Sequence, residues 1–501
     1  MGRMTEAAFV VDSARRRVYW LLMLGVLFLL LWPIWTVQYP AMVDYPSHLA
    51  QVEILRNWTH ETVLQQRYAL VLKPFPNLAL DLLGVYVFSW LDVPSAGKAV
   101  LTVLMILFWA GCHCLGCAVG RGRPVWLAAV AALLVYNSTF LYGYVNYNVG
   151  IALFLLALPT WLWYRRARSL PRMLASSSLT TAVYLAHWMG IGVLVIAMIF
   201  LTAWDWYEAR RWRKVFAVDL IPLAPSVALY ASLGRDRGGA GAIEWGPLAL
   251  KATHMMVWLT TYNSALTAIY LAAWVIALAI VLRKGGRWAG NRFLALGALL
   301  FLLAVAVPGR QLFSAVDADS RLVIPALVVT LLALAGDMRP LFARAAFLLV
   351  LCAMCGRVVE IRHYWKAGDA LTRAQLELFR SVPGGSRIFP IVWLPGDAQE
   401  AKRERHIWHA VEYATVDNLI FFPQILNFSG QQPVMLRDAP YPGIRPDMPA
   451  GAIPWEAVFR DYDFVYTYGV DQTCERQLDG YSDQVGVAGK GRIYRIRKRS
   501  P

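Results

Sequence analysis

A carboxylate, a proline and a histidine stand together just past the first long apolar run, in Asp44-Tyr45-Pro46-Ser47-His48. A carboxylate at the rim of a bilayer is costly unless it has a task. Pro46 suits the first turn of a helix, which would put Asp44 at that helix's positive end and favour its ionised form. Such a carboxylate can take a proton from an attacking hydroxyl or hold a divalent cation. It can equally cap the helix. His48, about one turn on, could bind a phosphate, a metal or a sugar hydroxyl, or be an interfacial histidine with a wet edge.

Four other places carry polar chemistry. Arg321 opens a late apolar run, Arg321-Leu322-Val323-Ile324-Pro325. A guanidinium matches phosphate oxygens with a two-pronged donor set, and it also snorkels as an interface anchor. Asp317 and Asp319 are its candidate ion-pair partners, or ligands of a cation. Tyr142, Tyr144 and Asn146 lie in an aromatic-amide stretch that could stack on and hydrogen-bond to sugars, or form part of an aromatic belt. His187 sits with Trp188 at a tight hairpin. Lys73, Asp236, Arg237 and Glu244 are loop charges, with Lys73 a candidate substrate contact and solvation the default for all four. Soluble-enzyme signatures such as a phosphate-binding Gly-rich loop, a nucleophile elbow or His-Glu-x-x-His are absent.

The elements that must position these residues follow from composition. Of 501 residues 58% are hydrophobic and only 16% charged, with mean hydropathy +0.46. That balance belongs to a polytopic α-helical membrane protein. Spans of about 20 apolar residues are expected near 18–38, 98–119, 124–140, 148–164, 172–188, 190–207, 215–233, 265–282, 293–307, 321–336 and 341–356, about eleven transmembrane helices. The net charge of +16 is spread over short loops rather than gathered on one soluble face, which argues against nucleic acid. With Arg15–Arg17 inside, the clusters Arg121/Arg123, Arg165–Arg172, Arg210–Lys214, Arg283–Arg292 and Arg339 all fall on the same side, as the positive-inside rule requires. The first run is long enough to span and lacks a small-residue cleavage site, so it is expected to be an uncleaved span rather than a signal peptide. The six cysteines form no disulfide framework.

The first outer loop, about 39–97, should hold amphipathic helices lying on the membrane surface. Leu49, Val52, Leu55 and Trp58 recur every three residues, and the apolar stretch 76–91, which contains Asp81, is too short to span. The transmembrane domain is expected over 1–356 and a C-terminal soluble α/β domain over 357–501. In the latter, strands are expected at Arg387–Leu394, Phe464–Tyr468 and Arg492–Arg497, helices at 369–380 and 402–422, and a Pro-rich loop at 433–454.

An acid just after the first span, surface helices, a bundle of spans and an outer tail together resemble the GT-C superfamily of integral membrane glycosyltransferases. Asp44-Tyr45-Pro46-Ser47-His48 looks like that group's first-loop acidic motif, and Arg321-Leu322-Val323-Ile324-Pro325 is similar to its late span facing the donor phosphate. The resemblance implies a polyprenyl-phosphate-linked sugar as donor and a glycan, lipid or protein hydroxyl as acceptor. It implies Asp44 as general base, inverting transfer, and Arg321 with His48 or His187 at the leaving phosphate. Many relatives carry a second acid in the second outer loop, where this chain has tyrosines and asparagines, so no cofactor is firmly implied and a divalent cation stays compatible. The place would be a bacterial inner (cytoplasmic) membrane, with a cytoplasmic N-terminus and a periplasmic C-terminal domain. A transporter or flippase of lipid-linked saccharides and a non-catalytic envelope scaffold are the alternatives.

Overall fold

The structure, a computed structural model, describes residues 6–120, 125–209, 216–234, 243–283, 291–309, 311–312, 315–334, 341–426, 430–437 and 448–497. Arg121, Arg123, Arg210–Lys214, Asp236, Arg237, Lys284, Arg287 and Arg339 lie outside the described residues.

Every apolar run expected to span falls on helix. Four helices are long and apolar enough to cross a membrane by length and composition: Ala14–Trp35, Val93–Val119, Val145–Ala167 and Trp188–Glu208. The face of the first helix that carries Val18, Leu21, Leu24 and Phe28 is exposed, while Tyr19, Met23, Val26 and Leu30 are buried. An apolar stripe of that kind needs a hydrocarbon solvent. Shorter apolar helices complete the bundle. The run expected as one span at 124–140 is broken into Leu127–Leu133 and Ser138–Tyr142. At the break the Asn137 side chain accepts the Thr139 and Phe140 amides and so caps the second piece. The run at 215–233 contains Pro222 and Pro225 and becomes Phe216–Leu220, a short 3-10 turn and Ala224–Ser232. Within 76–91 only Ala79–Leu82 and the π-turn Leu83–Val87 are helical. At 1.5 Å per residue they cover roughly 14 Å, against a hydrocarbon core of about 30 Å.

The Tyr45–Asn57 helix departs from the expectation of a helix lying on the surface. Tyr45 to Val52 and Ile54 are all buried. Tyr45, Leu49 and Val52 pack into the membrane-bundle core, whereas Ala50 and Ile54 belong to a second core with Phe389, Ile391, Val434 and Val465 from the C-terminal region. An every-third-residue stripe marks only one of these two faces. The other is made of small or isolated apolar residues that gain their partners from about 350 residues further on.

The last long helix runs unbroken from Leu341 to Glu377, so the helix expected at 369–380 is its second half. Beyond it lies a four-stranded sheet in the order Ile388–Val392, Phe464–Tyr468, Gly491–Ile496, Ser482–Ala488, its first pair parallel and the others antiparallel. The first two strands are buried along their whole length, as strands covered on both faces must be. Ser482–Ala488 escaped the sequence reading because it is mostly exposed, opens on the polar run Ser482, Asp483 and Gln484, and has Gly486 between its two valines. The stretch 402–422 is three short helices ending at Glu404, Ala410 and Asn418. The expected loop 433–454 contains the strand Val434–Leu436, which pairs antiparallel with Tyr68–Leu70.

Candidate functional site

Asp44 stands at the N-cap position of the Tyr45 helix, yet its side chain makes no capping hydrogen bond. Its backbone N–H donates to the Tyr142 carbonyl at 2.8 Å. Gly143 permits this crossing. Its φ is +104°, and a Cβ there would lie 2.7 Å from the backbone nitrogens of both Asp44 and Tyr45. The Asp44 carboxylate is half-buried and has no hydrogen-bond partner among the described residues. Burial pushes its pKa up to about 6; His409 and Arg321 pull it down, Glu412 and Asp317 push it further up. His48 is buried with Nδ1 unpartnered, and burial, then His409, push it down to about 4, so it is neutral at pH 7.

Arg321 lies in the first turn of the Ala318–Ala333 helix and is buried. Its guanidinium stacks on the Tyr144 ring at 4.3 Å and nears Tyr147 at 5.7 Å, while the Tyr147 hydroxyl donates to the Arg321 carbonyl. His187 reaches it from the turn between Leu170–Ala186 and Trp188–Ala209, where Gly150 and Gly190 let two helices approach to backbone contact. The Met189 N–H donates to His187 Nδ1 at 3.0 Å. An amide can only donate, so Nδ1 carries the lone pair and the proton of the neutral ring sits on Nε2. Nε2 faces the Arg321 guanidinium at 3.3 Å. Two donors therefore meet with no acceptor between them, and Arg321 Nε is buried and unpartnered. This is the donor arrangement of an anion site.

Asp317 and Asp319 pair elsewhere. Asp319 meets His254 Nδ1 at 2.7 Å and Lys251 at 3.1 Å; Asp317 meets His254 Nε2 at 3.4 Å and accepts the Tyr144 hydroxyl at 3.3 Å. Burial would lower the His254 pKa, but the two carboxylates outweigh it and raise it. Lys251 and His254 lie one turn apart on the Leu248–Met255 helix, the one sequence signal that they share a face.

The C-terminal region reaches the same place. The Ser47 hydroxyl accepts the Leu426 N–H at 2.9 Å, and the Gln51 amide donates to the Leu426 carbonyl at 2.6 Å. The short helices at 407–418 pack on the Tyr45 helix. Arg405 lies 5.9 Å from the Tyr142 ring, whose centroid is 5.0 Å from that of Tyr144. Arg405, Tyr142, Tyr144 and Arg321 thus form a cation–aromatic–aromatic–cation ladder across the two regions. His409 Nδ1 is 2.6 Å from the fully buried Glu412 carboxylate.

Of the residues named from sequence, Asp44, His48, His187, Tyr142, Tyr144 and Arg321 gather here. Asn146 is committed to the backbone: its amide donates to Asn77 and accepts from Leu80, both at 2.7 Å, fastening the 76–82 segment to the Val145 helix. Lys73 is exposed on the loop after the Tyr68 strand. Arg405, His409, Glu412, Lys251 and His254 were not singled out. Among the described residues no group of three or more His, Cys, Asp or Glu could hold a metal ion.

No family model matches the sequence. No curated protein matches it either. Among solved structures, ArnT from Cupriavidus metallidurans in its apo state aligns with a TM-score of 0.52 at 10% identity, covering 97% of this chain and 98% of that one. At that identity the likeness is one of fold, and it extends over nearly the whole length of both chains.

Proposed function

We propose that this GT-C-like membrane protein is a glycosyltransferase that moves a sugar from a polyprenyl-phosphate-linked donor to an acceptor hydroxyl on the outer face of a bacterial inner membrane. The observation that carries the reading is the Asp44 carboxylate, placed where it could cap a helix but left uncapping, in the field of Arg321 beside its paired donor His187. In the reaction, an Asp44 oxygen takes the acceptor's hydroxyl proton as the acceptor oxygen bonds to the anomeric carbon. The bond from that carbon to the lipid phosphate breaks on the opposite face, inverting the centre. The electron pair leaves with the phosphate, where the Arg321 guanidinium and the His187 Nε2–H receive the charge. A phosphate leaves without help from a general acid. Neutral His48 offers its unpartnered nitrogen to a hydroxyl of the substrate. The C-terminal region, on the periplasmic side, closes the site opposite the bundle.

The test is turnover of a panel of polyprenyl-phosphate sugars by the purified protein in nanodiscs, wild type against Asp44→Asn. The substitution is expected to remove a general base and lower transfer by about 10²–10⁴-fold with expression and monodispersity unchanged. Normal turnover in the variant sinks the assignment of Asp44. Saturable donor binding without turnover, unchanged in the variant and with acceptors supplied, turns the reading toward a carrier of lipid-linked saccharides. Because a base must be ionised to act and the Asp44 pKa is about 6, wild-type kcat/KM is expected to hold above pH 7 and to fall as pH drops through 6.

A further inference from the structure

His254 lies between two carboxylates. Its Nδ1 is 2.7 Å from Asp319 Oδ1, and its Nε2 is 3.4 Å from Asp317 Oδ1. An imidazole that faces an oxygen acceptor on each side donates to both only as the imidazolium. Lys251, one turn earlier, stands 3.1 Å from the other Asp319 oxygen. These contacts bring the Leu248–Met255 helix, none of whose residues is buried, onto the start of the Ala318–Ala333 helix.

Asp317 is the acid best placed to take the Arg321 guanidinium. It is the N-cap of the Ala318–Ala333 helix and stands four residues before Arg321, the spacing at which an acid and an arginine meet along a helix. The two form no ion pair among the described residues. Instead the Asp317 backbone turns left-handed, with φ at +52°, a region that residues other than glycine seldom enter. Its carboxylate is held from two sides, by His254 at Oδ1 and by the Tyr144 hydroxyl, which donates to Oδ2 at 3.3 Å. The guanidinium is left with the face of the Tyr144 ring at 4.3 Å and with His187 Nε2 at 3.3 Å, neither of which neutralises it.

We infer that His254 is a positioning residue for Arg321: bridging Asp317 and Asp319, it withholds Asp317 from the guanidinium and leaves that charge for a phosphate. The inference rests on the reading of Arg321 as the group that receives the donor's phosphate. Asp317 then acts on Arg321 only through Tyr144, whose hydroxyl it holds and whose ring carries the guanidinium.

The experiment reads the anion site without turnover. Farnesyl phosphate, a short polyprenyl monophosphate without a sugar, is titrated by calorimetry into the full-length protein in nanodiscs. R321Q should lose saturable binding. H254Q frees Asp317 to pair with Arg321 and should weaken binding about tenfold. Adding D317N to H254Q removes the competing acid and should bring affinity back to within about twofold of wild type, a reversal that a merely structural role does not produce. Should H254Q fail to give monodisperse protein, D317N is compared with H254Q/D317N. There the imidazole has no acid to withhold, so its loss should change affinity by less than about twofold, and a larger loss overturns the inference. A wild type that takes no farnesyl phosphate, or takes it no better than R321Q does, sinks the phosphate reading of Arg321 and the inference with it. Binding that H254Q leaves unchanged, or a loss that D317N does not reverse, overturns the inference alone. The expected pattern in a protein that transfers no sugar upholds the inference and sinks only the transferase reading.

Discussion

The pairing of Arg321 with the proton-bearing Nε2 of His187 is an unfinished hydrogen-bond set, and it makes the sharpest prediction at the scale of single residues. Arg321→Gln is expected to lower kcat/KM by roughly 10²–10³-fold, the loss usual for one preorganised donor at a developing oxyanion. Arg321→Lys should recover only part, since a lysine supplies charge without the planar fork or the stacking on Tyr144 at 4.3 Å. Steady-state kinetics on the preferred donor decide it; equal activity in Arg321→Lys would make the residue an anchor and no more. Asp44 and Arg321 were legible in the sequence because each is a charge at the edge of an apolar run, where charge is expensive. His409 and Glu412 were not, for they lie in and just after the short Ile407–Ala410 helix of the C-terminal region, and what distinguishes that segment is its packing on the Tyr45 helix, some 350 residues earlier. Asn146 shows the opposite error. Its type and place suited a sugar contact, and its two hydrogen-bonding sides are both occupied by backbone.

Among the elements, the apolar helices were read correctly in place because hydrophobic run length is a local signal, and their breaks at Asn137 and Pro222 were not, because a cap or a proline turn leaves the apolar run intact. The Tyr45 helix was misjudged for a further reason, that half of its cover comes from a distant segment. The crossing at Gly143 ties this helix to the tyrosine pair. Gly143→Ala puts a Cβ into the Asp44 and Tyr45 nitrogens at a backbone conformation that L side chains rarely adopt, and should destabilise the protein by about 1–3 kcal/mol, read as a lower Tm in detergent. Activity should fall further than that loss explains, since the displaced atoms are those of Asp44. The Ala79–Leu82 helix carries Asp81 buried with both carboxylate oxygens unpartnered, and burial pushes its pKa up to about 7. A carboxyl raised in the folded state favours folding at low pH and opposes it progressively as pH rises from its unfolded value near 4 toward 7. Asp81→Asn is therefore expected to raise Tm at pH 8 and to leave it unchanged near pH 4. A Tm increase that does not depend on pH would assign the effect to packing instead.

The molecule as a whole shares the fold of ArnT at 10% identity, which is what is expected when the fold is specified by where apolar runs begin and end and by small residues at helix crossings rather than by particular side chains. Two of its hydrophobic cores share one helix, Tyr45–Asn57, with the bundle on one side and the C-terminal sheet region on the other. That sharing has a consequence in time. The helix leaves the ribosome before residue 60, whereas Leu426 and Val434, which cover its other face, emerge some 370 residues later. At ~5–20 residues per second the interval is roughly 20–70 s. Throughout it the face carrying Ala50 and Ile54 lacks its C-terminal cover. The candidate site is thus completed late, and a nascent chain stalled ahead of Arg405 would hold Asp44, His187 and Arg321 without the C-terminal segments that cover the Tyr45 helix.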